Sequence, residues 1–171
     1  VENILPVEEL TQNEEQKCPA KTRKEMLEER LLYLLLIAPE ANKLIKEEYS
    51  PYFSSQLLNI LGKFKKYFEY EEKLKNFKTE LPIFQKSLSE EENGILNYLW
   101  LKTETEEESA EIDFEDEVAF CLKEIQGMEV KKKLDLISQE IKKAENDKDS
   151  KKLQSLINEF DKLSKKLNIT I

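Results

Sequence analysis

Two apolar stripes near the C-terminal end constrain this chain more than any other feature. Val130, Leu134, Ile137, Ile141 and Ala144 follow one another at steps of four and three. Leu153, Leu156, Phe160, Leu163 and Leu167 do the same. Such steps keep side chains on one line of a helix. Between the stripes lies Asn146-Asp147-Lys148-Asp149-Ser150, a polar turn in which Asp149 or Ser150 can cap the second helix. The stripes predict an antiparallel helical hairpin whose seam is formed by Leu134, Ile137, Ile141, Leu153, Leu156, Phe160 and Leu163. A hairpin of about 40 residues buries too little surface to stand alone. It must lean on the rest of the chain or on another protein.

The rest of the chain also reads as helix. Of 171 residues, 37% are charged, while three are Gly and five are Pro. Turn-rich β architectures need more Gly and Pro, so the expected fold class is all-α: a helical bundle followed by the C-terminal hairpin. Residues 1–20 read as a linker or tail, 21–126 as the bundle and 127–171 as the hairpin. The chain opens on Val1, which suggests a piece of a longer protein.

Local signals place the bundle helices. Thr22 and Glu25 form a capping-box pattern ahead of a Leu-rich run, and Pro39 ends that helix near Ala38. Ser50-Pro51 reads as the cap and first position of a helix bearing Phe53, Leu57, Ile60, Leu61, Phe64 and Phe68. A short helix is expected over 74–81, closed by Pro82. Ser89 and Glu92 make a second capping box, opening a helix that buries Ile95, Leu96, Leu99 and Trp100. Nine acidic side chains fall within 104–117, and Asp113 can cap the long helix that follows. Gly127 interrupts that helix, either as a bend and hinge or as one costly residue in a continuous helix.

Charge divides at the same point. Residues 128–171 carry 11 basic and 8 acidic side chains, whereas 1–127 carry 16 basic and 28 acidic. A mildly basic hairpin sits on an acidic body.

Histidine is absent from the sequence, which removes His-based triads and His–metal sites. Cys18 and Cys121 lack ligand spacing and read as isolated reduced thiols. Asp147-Lys148-Asp149 resembles the start of a calcium loop, but the required Gly and closing Glu are replaced by Lys152 and Asn158. No catalytic, cofactor or metal site is expected. The longest unbroken apolar run, Leu31 to Ala38, is far shorter than a membrane span, so no membrane partner is expected and a cytoplasmic location is. The lysines at 131–133 and 165–166 read as solvated helix faces, with no direct nucleic-acid binding expected. Ser155, Asn158 and Lys162 fall outside the second stripe and are the candidate partner-binding residues, with Ile169 and Ile171 of the tail. An isolated chain could also dimerise by exchanging its hairpin.

The run from Glu29 through Leu31-Leu32, Leu34-Leu35-Leu36 and Pro39-Glu40 resembles the first helix of the C-terminal domain of bacterial replicative DNA primase of the DnaG type. The acidic lead-in Asp113 to Glu117 is similar to that family, as is the closing pattern Ala144-Glu145, polar turn, Leu153 and Leu156, then Phe160 and Leu163. The resemblance spans about residues 22–167. It implies a non-catalytic domain that docks on the N-terminal collar of the replicative DNA helicase and couples primer synthesis to unwinding. The parent protein would then be a DNA-directed RNA polymerase whose catalytic parts lie upstream. Two other readings are the N-terminal helical domain of the helicase itself, which would continue into an ATPase, and an unrelated all-α adaptor.

Overall fold

The computed structural model describes residues 19–105 and 113–170, with side chains up to Leu167. Among them there is no strand: the elements are seven α-helices and two 3₁₀ turns. Helix α1, Arg23–Ile37, starts with the expected capping box, in which Thr22 and Glu25 bond each other's backbone amides. Leu31, Leu34 and Leu35 are almost completely buried, and six successive residues from Leu31 to Leu36 lie in the core. Such all-round burial makes α1 the central helix. It ends at Ala38, because Pro39 excludes helical geometry from the residue before it.

The next helix starts later than the sequence suggests. Ser50 and Pro51 belong to the second of two 3₁₀ turns, Pro39–Leu44 and Glu47–Tyr52. The cap of α2, Ser55–Tyr67, is Ser54, whose hydroxyl oxygen accepts from the Leu57 amide at 3.2 Å. The buried carboxylate of Glu28 on α1 decides between the two serines. It accepts from the Ser54 amide at 2.8 Å and from the Ser54 hydroxyl at 2.6 Å. A tertiary partner thus overrides the local Ser-Pro signal.

Two short helices follow, α3 (Glu71–Lys75) and α4 (Phe77–Gln85). Pro82 does not close α4 but lies inside it. The bond it forgoes would go to the carbonyl of Lys78, an exposed residue, so the loss falls on the wet side. The buried side is fixed by Phe64, Phe68, Phe77 and Phe84, whose ring centroids lie 4.7–6.1 Å apart.

Helix α5, Glu90–Thr105, opens with the predicted reciprocal bonds between Ser89 and Glu92. Leu96 and Leu99 are buried, but Ile95 and Trp100 are only half-buried against the core. Helix α6 runs from Phe114 to Asn146, 33 residues and about 50 Å, capped by Asp113. It lies antiparallel to α1, since Arg23 pairs with Glu124 at 2.6 Å and Arg30 with Glu117 at 3.5 Å. Lys24 adds a bond to Glu129 at 2.8 Å.

Helix α6 continues without interruption through Gly127, which has an ordinary negative φ. The core does not divide there either. Val130 and Leu134 belong to the same buried cluster as Leu31 and Ile125, and Phe160, Leu163 and Leu167 pack against it. A second, small cluster of Ile137, Ala144 and Leu156 holds the far end.

Candidate partner-docking hairpin

Helix α6 is followed by α7, Ser150–Thr170, after a three-residue connection. The reversal is built from backbone hydrogen bonds. The Lys148 amide donates to the Glu145 carbonyl at 3.2 Å, and the Asp149 amide donates to the Ala144 carbonyl at 3.0 Å. These are the two bonds of a Schellman ending, with Lys148 in its left-handed position at φ 54°. Asp149 rather than Ser150 caps α7, its carboxylate accepting from the Lys152 amide at 3.1 Å.

The two stripes meet along the hairpin. Ile137, Ala144 and Leu156 are buried, and Ile141, Leu153, Phe160 and Leu163 pack partly buried around them. Leu134 lies lower, in the main core. Two helices leave one side of each seam residue open, which is why most of α7's apolar stripe is only half-covered.

Ser155, Asn158 and Lys162 are all exposed on α7. Asn158 accepts a 3.4 Å bond from Gln154, one turn earlier. The side chain of Ile169 and the whole of Ile171 lie outside the described residues. Two apolar residues on the hairpin surface escaped sequence reasoning: Leu136 is 53% exposed and Ile157 is 38% exposed. Both break the stripe spacing, and that is the signal that marks them. An apolar residue out of register with the seam has no core to enter. Lys131, Lys132 and Lys133 are exposed on α6, with Lys133 lying 5.8 Å from the Tyr52 ring.

No family model, curated protein or solved structure matches this chain.

Cys121 is 1% exposed, and burial pushes its thiol up to about 11. Glu92 is 6% exposed, and the hydrogen bond from Lys63 at 2.7 Å holds its carboxyl below the usual range, helped by the Ser89 amide. The Lys24 bond does the same for Glu129. Cys18 lies outside the described residues. Among the described residues no three potential metal ligands converge, and no helix is long and apolar enough to cross a membrane. Trp100 lies half-buried in a groove with Ile37, Leu74 and Phe77. The hairpin presents an exposed helical surface along α7.

Proposed function

We propose that this chain is a helicase-docking module of bacterial replicative primase, cytoplasmic and without a reaction of its own, and that α7 makes the main contact. The observation that carries the reading is the outward side of α7. It stays exposed from Lys151 to Lys166 while the opposite side forms the seam, and Ile157, 38% exposed, lies on its flank as a partly uncovered apolar residue. Interfaces draw most of their energy from a few anchors ringed by polar groups. The motifs behind the resemblance support the reading by their placement. The Leu-rich run is the central helix α1, and Ala144 lies buried where the hairpin closes.

The test is titration calorimetry of the 171-residue chain against the replicative helicase of the same organism. Saturable binding that Ile157→Asp weakens at least tenfold is the expected result. No binding between two folded proteins would overturn the reading in favour of an unrelated adaptor.

A further inference from the structure

The outward positions of α7, opposite the seam, are Lys151, Ser155, Asn158, Lys162 and Lys165. They step by four, three, four and three, so they form one straight line about 21 Å long. All five are exposed, three are cations and none is a carboxylate. The line concentrates the basic charge of a hairpin that carries 11 basic and 8 acidic side chains on an acidic body. Surface helices commonly intersperse both signs, since pairs one turn apart add a few tenths of a kcal/mol. None of these three lysines takes an ion-pair partner among the described residues. Asp149 is engaged in the α7 cap, and Glu159 and Asp161, one turn before Lys162 and Lys165, lie to either side of the line and make no ion pair with them within 4 Å.

Resting on the docking reading above, we infer that the line recognises a carboxylate-bearing helical face of the partner protein, and that Lys151 and Lys165 belong to the contact together with Lys162. Lys151 lies eleven residues, about 16 Å, before Lys162, and Lys165 follows one turn later, so the two ends of the line match acidic side chains about three turns apart on a facing helix. Ser155 and Asn158 in the middle offer short neutral hydrogen bonds between the charged ends. A nucleic acid fits the same charge less well. The line carries no aromatic residue for base stacking, and the acidic body repels a long polyanion. Charges at an interface rim act mainly on partner selection and association rate, and salt screens them.

The test compares the native chain, the triple variant Lys151→Glu/Lys162→Glu/Lys165→Glu and, as a control on α6, Lys132→Glu/Lys143→Glu. Each is titrated against the replicative helicase at about 50 and about 300 mM salt, where screening differs strongly. Circular dichroism melting checks that each variant folds. The expected result is a Kd at least tenfold higher for the triple variant at low salt, a native affinity that falls with salt while the variant's does not, and no effect of the α6 control. A triple variant that binds as tightly as the native chain, with the same salt dependence, overturns this inference and leaves the docking reading standing. A native chain that does not bind overturns both. Equally tight binding of a twelve-residue oligothymidylate, lost in the triple variant, replaces the carboxylate partner with a phosphate one.

Discussion

Lys148 holds a backbone conformation that suits glycine. Its φ of 54° places an L side chain against the following carbonyl, which costs about 1 kcal/mol. Lys148→Gly is therefore expected to raise stability by up to about 1 kcal/mol, and Lys148→Val to lower it by a similar amount or more, in urea titrations. Cys121 is a second residue with a checkable consequence. The folded thiol ionises near 11, above its ordinary value of 9.0. Its contribution is complete below pH 9, where the unfolded thiol is still neutral, and is lost as pH rises from 9 through 11. The native chain should lose stability faster than Cys121→Ala across that window, and the native thiol should stay unreactive to an aromatic disulfide until the chain unfolds. Caps show how much of this scale is legible in a sequence. Thr22, Ser89 and Asp113 sit where their local patterns put them, since the partners are three residues away or fewer. Ser54 is not legible, because its partner Glu28 is 26 residues upstream.

Gly127 poses its question at the level of an element. A Cβ at this position meets nothing within 4 Å, and the backbone is already helical. Gly127→Ala is expected to add about 0.5–1 kcal/mol by removing freedom from the unfolded chain, raising Tm by roughly 1–4 °C. A loss of stability would show that the glycine serves a bend absent from this structure. Stripe spacing foretold helices over 130–144 and 153–167, because a periodic pattern of that length has few readings. It could not say whether α6 breaks at Gly127, since one glycine costs less than the burial of Val130 and Leu134 contributes. Pro82 misled for a related reason. A proline stops a helix only when the lost bond is not outweighed by packing, and Phe77, Leu81 and Phe84 all bury their side chains around it.

At the scale of the molecule, charge and composition change at Gly127 while the core does not. Val130 and Leu134 fill the same cluster as α1, and α7 closes over them. A chain ending at Gln126 would remove Val130 and Leu134 from the main core, together with Phe160, Leu163 and Leu167 that pack against it. It is expected to melt at least 10 °C lower than the full chain, or without a cooperative transition, whereas the full chain should unfold in a single step by calorimetry. Two separate transitions in the full chain would show independent units instead. Acid should act on the same long-range contacts. Glu92 and Glu129 keep their carboxyls below the usual range by bonding Lys63 and Lys24, so their support is complete above that range and disappears as pH falls through the lowered values. Both bonds join different helices, α2 to α5 and α1 to α6, so acid unfolding should be cooperative, with far- and near-ultraviolet signals changing together.

The unbroken course of α6 makes it a lever. Its lower half is clamped in the bundle, and from Leu134 to Asn146 it projects by about 18 Å. A tilt of about 10° at Leu134 would swing the hairpin tip by about 3 Å, comparable to the length of one hydrogen bond. The tip's aim is thus set by packing around Val130 and Leu134, far from any surface a partner would touch. A substitution in that packing would re-aim the tip, and with it the proposed docking surface, without altering one exposed atom of α7.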